Sequence, residues 1–278
     1  MRPLGTEASP IEDPLSYPGR TPRDSAVLTP DGVGGIRVRH DRPLASAVVD
    51  GAAGGGTLAD LLARCGADGM DERRAVLCIG SNASPAQLRH KFAAAEVAVT
   101  TPMIRIEVRG MVPGVSAHIS RPGYLPASPV IAPRERAELF VIWLDRSQLG
   151  AMDATEGTYA RRVLRLDGAD GGPVRVHGPV PEWGRTCDLY ASERGVLVAD
   201  GEPVRLRQQR ALQAVLRDRV PGVAGSAPIR SATWIARASD LRTRERVRQS
   251  LEAEGMVRPQ PYFEALPHAD DPWLSARR

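Results

Sequence analysis

Aromatic residues make up only 4% of this 278-residue chain, too few for a nucleic-acid binder that works by stacking bases on rings. Lysine is almost absent: Lys91 is the sole one, and the remaining basic side chains are arginines scattered along the chain. With so much Ala, Gly and Pro beside the arginine, the formal net charge of +4 reads as the codon bias of a GC-rich genome and not as a basic footprint for nucleic acid. Cys65, Cys78 and Cys187 are odd in number, far apart and form no Cys-x-x-Cys. That argues against a disulfide frame or a zinc knuckle and for a reducing compartment. No apolar run approaches bilayer length, and the opening Met-Arg-Pro-Leu-Gly-Thr-Glu-Ala lacks the apolar core of a signal peptide. The expectation is a cytoplasmic protein with neither a membrane nor a nucleic-acid partner.

What the chain does contain is organised around Ala75-Val-Leu-Cys-Ile-Gly-Ser-Asn-Ala-Ser-Pro-Ala-Gln87. Ala75 to Ile79 is a continuous apolar run, suited to a strand covered on both faces. Gly80-Ser81-Asn82 breaks it with residues that tolerate unusual backbone angles and bond locally. Ser84 then offers an N-cap, Pro85 the first helical position, and Gln87 a Ser-x-x-Gln capping box. A strand that feeds such a turn at a helix N-terminus brings free N–H groups and the positive end of a helix dipole together, which suits an anion.

Residues 1 to about 56 are rich in Pro and Gly, with one alternating run at Ile36 to His40 and a glycine hinge at Gly51 to Gly56. They are expected to form a flexible or partly ordered N-terminal extension. The compact domain, 57–278, opens with a short helix after Thr57 that carries Leu58, Leu61 and Leu62 on one face. Ile104 to Gly110 alternates as a half-covered strand, and Ala137 to Leu144 reads as a buried one. Between them Pro113 to Pro133, with His118, Tyr124 and Ser128, reads as a long loop able to close over a site. A helix starting at Asp145 ends at Gly157, and Tyr159 to Leu166 and Thr186 to Ala191 resume extended patterns. Two amphipathic helices follow, over Arg205 to Arg219 and over Arg237 to Glu254, the second with Leu241, Val247 and Leu251 inward. Several strands mixed with single helices, without steady βαβ alternation, define the class α+β.

The Cys-Ile-Gly-Ser-Asn turn at 78–82, followed by Leu-Gly-Ala-Met-Asp-Ala-Thr-Glu-Gly-Thr-Tyr-Ala-Arg-Arg at 149–162, resembles the gamma-glutamylcyclotransferase-like family over about residues 75 to 190. The resemblance implies a small mixed β-barrel or sheet with flanking helices. It implies an enzyme that cyclises a γ-glutamyl amide to 5-oxoproline and releases the free amine. On this reading Glu156 is the general acid/base, and Ile79, Gly80, Ser81, Asn82 and Tyr159 bind the substrate, with no metal or cofactor. Ile79 stands where the family usually carries tyrosine, and Arg161 matches a Tyr-x-Arg element.

The chemistry makes sense of these residue types. In a γ-glutamyl amide the α-amine is tethered to its own γ-carbonyl, so one carboxylate near both nitrogens suffices, as base and then as acid. Each residue also has a plainer reading: Glu156 as a helix-end residue facing solvent, Tyr159 as core, Cys78 as a small buried apolar residue. The five dispersed histidines are not expected to be catalytic, although His118 in the loop stands apart. Two rival functions remain. Ile-Gly-Ser-Asn before a helix also resembles the opening of hydroxymethyl-dihydropterin pyrophosphokinase, which needs magnesium between closely spaced aspartates, whereas Asp145 and Asp188 are each alone at a candidate strand end. The alternative is a non-catalytic binding or interaction module on the same fold.

Overall fold

The computed structural model describes residues 3–39, 41–51, 54–166, 172–177, 186–220 and 231–269, with the backbone alone at 231–234. Its elements in chain order begin with β1 (Ala26–Thr29), β2 (Gly32–Arg37), β3 (Val48–Val49), α1 (Leu58–Arg64), β4 (Arg74–Cys78), α2 (Pro85–Ala94), β5 (Thr101–Val115) and β6 (Ala127–Leu144). They continue with α3 (Arg146–Thr155), β7 (Tyr159–Arg165), β8 (Arg175–His177), β9 (Thr186–Ser192), β10 (Val196–Ala199), β11 (Glu202–Pro203), α4 (Gln209–Arg219), α5 (Ser231–Ala238), α6 (Leu241–Ala253), β12 (Val257–Arg258) and α7 (Pro261–Ala265).

The apolar run at 75–79 does what its lack of alternation implies. Ala75, Leu77 and Ile79 face the larger core, and Val76 and Cys78 face a second core beneath α2 and α3. β6 divides in the same way, Leu139, Val141 and Trp143 on one side and Phe140, Ile142 and Leu144 on the other. Both strands are therefore covered on both faces. α2 supplies Leu88 and Phe92 to the second core, and α3 supplies Leu149 and Met152. A third core unites Leu212 and Leu216 of α4, Val247 and Leu251 of α6, and Ile119 and Leu125 of the β5–β6 connection.

The main sheet has nine strands in the order β3-β2-β1-β5-β6-β4-β9-β7, with β8 added on β5. It is mixed: β4 and β9 run parallel, and β5 and β6 form a long antiparallel hairpin. It is not a closed barrel. β3 and β7 end the order and do not pair with each other among the described residues. The β7 edge is covered instead by the C-terminal segment, through Val163 N–H to the Pro267 carbonyl at 2.9 Å and Ala269 N–H to the Arg161 carbonyl at 3.0 Å. Pairing there satisfies the edge without closure. The register of β5 on β6 shifts between Arg109 and Gly110. Gly110 has φ +85°, and a Cβ there would strike the Pro173 carbonyl, so this bend requires glycine.

Several expectations change. The 113–133 stretch is largely strand, because β5 runs to Val115 and β6 begins at Ala127. Pro113 and Pro129 face each other across the hairpin, a placement in which neither has to donate to the ladder between them. The segment 1–56, expected as an extension, supplies β1 to β3, with Val27 and Leu28 fully buried. Ala52 and Ala53 of the glycine hinge lie outside the described residues. The first amphipathic helix starts at Gln209, and the second at Leu241 with Asp240 as its N-cap. Leu241 is 69% exposed and not inward, whereas Val247 and Leu251 are buried.

One polar network ties the site-bearing elements together. Asp188 on β9, its side chain fully buried, accepts from Arg74 at 2.8 Å and from Arg161 at 2.6 Å. Arg161 also pairs with Asp153 of α3 at 3.0 Å, and the Tyr190 hydroxyl donates to Asp153 at 2.6 Å. Removing one member of such a set leaves charge buried without its counter-charge. Asp188→Ala is therefore expected to cost about 3 kcal/mol of unfolding free energy in urea titration. A loss below about 1 kcal/mol would mean that the arginines find water instead.

Candidate active site

α3 ends where the sequence places glycine. Thr155 is its last residue, Glu156 its C-cap and Gly157 follows. Glu156 is thereby placed at a helix end, its N–H bonded to the Asp153 carbonyl at 3.2 Å. Across from it, β4 gives way to a single 3₁₀ turn, Ser81–Ala83, whose Ala83 and Ser84 N–H groups bond the Gly80 and Ser81 carbonyls. The turn brings Asn82 to Glu156: Asn82 Nδ2 donates to Glu156 Oε1 at 3.1 Å.

A third residue completes the cluster. Lys91, on α2 and only 6% exposed, donates from Nζ to Glu156 Oε1 at 2.8 Å and to Asn82 Oδ1 at 3.0 Å. Oε1 is thus anchored by two donors, while Oε2 has no hydrogen-bond partner among the described residues. The two sequence motifs therefore converge on one carboxylate, and the residue that joins them lies in neither.

Lys91, Asn82 and Glu156 stand at a cavity of about 390 Å³ that Ile79, Gly80, Ser81 and Tyr159 also line. Tyr17, Tyr124 and Tyr190 line it too, so four of the five tyrosines in an aromatic-poor chain meet here. Tyr17 stacks on Tyr124 with ring centroids 4.2 Å apart. The backbone of Ala127 clasps two of them, its N–H donating to the Tyr17 hydroxyl at 2.7 Å and its carbonyl accepting from Tyr159 at 2.8 Å. A Cβ on Gly80 would strike the Tyr17 hydroxyl and lie 2.7 Å from the Ala127 Cβ, which explains the glycine in the turn. Burial, reinforced by the Glu156 charge, holds the Tyr17, Tyr124 and Tyr159 hydroxyls well above the usual tyrosine range. They stay protonated and act as hydrogen-bonding walls.

The connection between β5 and β6 closes over the cavity with His118, Ile119, Ser120, Arg121 and Pro122. His118 Nδ1 meets the Ser116 hydroxyl at 2.7 Å, and Nε2 meets the Thr158 hydroxyl at 3.3 Å. Burial, with the charges of Arg194 and Arg244 adding, pushes its pKa down to about 4. The ring is neutral at pH 7. Since the folded value lies below the unfolded one of about 6.5, the unfolded state binds the proton first. Stability is therefore expected to fall as pH drops from about 6.5 towards 4, by less in His118→Asn than in the wild type, as read by thermal melts across that range. Equal slopes would contradict the assignment.

The Ser84–Gln87 capping box expected from sequence does not form: Ser84 makes no side-chain cap hydrogen bond. Its hydroxyl is packed beneath Gly19 of the N-terminal segment. Arg161 serves the network under the site and does not line the cavity. Asp145 caps α3 and Asp188 pairs with arginines, so the two aspartates weighed for magnesium have structural partners. Lys91 went unread in the sequence, although a signal was present. It is the only lysine, and Asn82 the only asparagine, of the 278 residues. A chain that writes its other cations as arginine keeps its one ammonium where a compact point charge, not a planar fork, meets the carboxylate.

No protein-family model matches this sequence, and no curated protein matches it. Two solved structures are similar in layout. An uncharacterized protein from Homo sapiens aligns over 74% of this chain and 99% of its own, with 11% identity and a TM-score of 0.34. A gamma-glutamyl cyclotransferase aligns over 74% of this chain and 100% of its own, with 11% identity and a TM-score of 0.32. Likeness at this level assigns neither family nor activity. Among the described residues no helix is long and apolar enough to cross a membrane.

Proposed function

We propose that the protein cyclises a γ-glutamyl amide to 5-oxoproline and releases the free amine, with Glu156 as general base and then general acid. The observation that carries this reading is the carboxylate fixed through Oε1 by Lys91 and Asn82, with Oε2 left for a ligand in the cavity. Glu156 Oε2 takes a proton from the substrate α-ammonium. The α-amine nitrogen attacks the γ-carbonyl carbon and forms the lactam bond. Glu156 returns that proton to the departing nitrogen and takes the second proton from the ring nitrogen. Collapse of the tetrahedral intermediate then breaks the bond to the departing nitrogen, and the released amine leaves as an ammonium with the second proton. Atoms and charge balance without a further reactant.

The tether does much of the work, since a well-placed intramolecular nucleophile acts at an effective concentration on the order of 10⁵ M or more. The protein has to fold the substrate and move one proton, a contribution of roughly 10²–10⁴-fold. In this reading the Gly80-Ser81-Asn82 turn receives the polar end of the substrate, while Ile79 and Tyr159 pack against its chain. The clasped tyrosines keep the wall rigid and water low around the reacting atoms.

The test is mass-spectrometric detection of 5-oxoproline from a panel of γ-glutamyl amino acids, glutathione and γ-glutamylamines. Release from at least one member supports the reading. Silence across the panel from folded protein would move the assignment to a non-catalytic binding module.

A further inference from the structure

Gln87 lines the cavity and has no role in what precedes. It lies in the first turn of α2 and is fully buried. Neither Oε1 nor Nε2 has a hydrogen-bond partner among the described residues. A buried amide with both ends unpaired is costly, and native structures rarely keep one without a use. Nothing in the packing demands an amide there, because a leucine would fill the same volume.

Its place suggests the use. Gln87 and Lys91 are four residues apart on α2, so their side chains are neighbours on one face, and both line the cavity. Lys91 is spent on Glu156 and Asn82. What remains beside the catalytic carboxylate is one neutral donor and one neutral acceptor on the same planar group. The complement is a ligand group that carries an acceptor and a donor side by side. An α-amino acid head has this pattern: its carboxylate accepts from Nε2–H, and its ammonium donates to Oε1.

We propose that Gln87 is the specificity-determining residue that recognises the α-amino-acid head of the substrate, holding the α-carboxylate and steadying the α-nitrogen beside Glu156. This rests on the cyclisation reading. A neutral amide suits the task, since a second cation would compete with Lys91 for Glu156. An acceptor on the α-nitrogen also leaves that nitrogen free to lose a proton to Glu156.

The experiment compares the wild type with Gln87→Leu and Gln87→Glu on two substrates, γ-glutamylethylamide and its counterpart without the α-carboxylate, N-ethyl-4-aminobutanamide. The expected result is a KM for γ-glutamylethylamide raised roughly tenfold to a hundredfold in Gln87→Leu, with kcat little changed. Gln87→Glu should be worse, because it sets a carboxylate against a carboxylate. Turnover of the decarboxylated substrate, which keeps only the α-nitrogen, should fall by a clearly smaller factor in Gln87→Leu, so that the preference between the two substrates narrows. Thermal stability of Gln87→Leu should equal or exceed that of the wild type, which separates the effect from misfolding. An unchanged KM for γ-glutamylethylamide in an active Gln87→Leu enzyme would overturn the proposal and leave Gln87 as a site for buried water. Equal losses on both substrates would also overturn it. If the folded wild type turns over no γ-glutamyl amide, the cyclisation reading itself fails and the assignment of Gln87 fails with it. Titration of γ-glutamylethylamide into Glu156→Gln, with and without Gln87→Leu, reads the same contact as a Kd without chemistry.

Discussion

Glu156→Gln is expected to lower kcat for 5-oxoproline release by roughly 10²–10⁴-fold while leaving the fold and substrate binding in place. Glutamine keeps the shape of the side chain, and its carbonyl oxygen still accepts from Lys91 Nζ and Asn82 Nδ2, the two donors that hold Oε1 at 2.8 and 3.1 Å. What it cannot do is take a proton from an ammonium. The loss should therefore lie in kcat, with Kd for γ-glutamylethylamide changed by no more than a few-fold. Among the described residues no other carboxylate is placed to substitute. Glu245 stands among the arginines at the mouth of the cavity and is paired with Arg248. Asp153 is engaged by Arg161 and Tyr190. A variant that retains more than a tenth of the wild-type rate would remove Glu156 from the mechanism.

The second large effect belongs to Lys91. Lys91→Met removes the ammonium and leaves Glu156 and Asn82 Oδ1 without their shared donor. The carboxylate then swings on one hydrogen bond, and displacement of a reacting group by about 1 Å can cost on the order of 10²-fold in rate. Stability should fall as well, by about 3 kcal/mol, since Glu156 is left as a largely enclosed charge without its partner. The double variant Lys91→Met, Glu156→Gln has no such charge, and most of the lost stability should return. That coupling is the decisive reading, because additive losses would mean that the pair does not act as a unit. Lys91→Arg should not rescue activity. The planar guanidinium is larger, and the space beside Asn82 and Glu156 is set by a point charge.

Much of this site was legible because its signals are local. The 75–79 run, the glycine of the turn, Pro85 at the helix start and Gly157 at the helix end each fix backbone within a few residues, and each holds in the structure. Hidden from the sequence were contacts across distance. Lys91 reaches Glu156 only because α2 and the end of α3 lie side by side over the second core, 65 residues apart in the chain. Tyr17 reaches the cavity from a segment whose prolines suggested little order. Proline forbids a long helix there, but the neighbouring 26–37 run still pairs as β1 and β2 in the main sheet. In the 113–133 stretch the same residue type misleads again, because two prolines facing each other cost the hairpin nothing. Barrel closure turned on the partner of β7, a tail segment at 267–269 with no strand pattern of its own.

In the proposed reaction the bond to the departing amine is broken by the substrate's own nitrogen and not by water. Running the reaction in water enriched in heavy oxygen tests this directly, with mass spectrometry of the acyl product from wild type and Glu156→Gln. The expected product is 5-oxoproline without heavy oxygen, formed by the wild type and nearly lost in the variant. Glutamate carrying heavy oxygen would identify a hydrolase and contradict it.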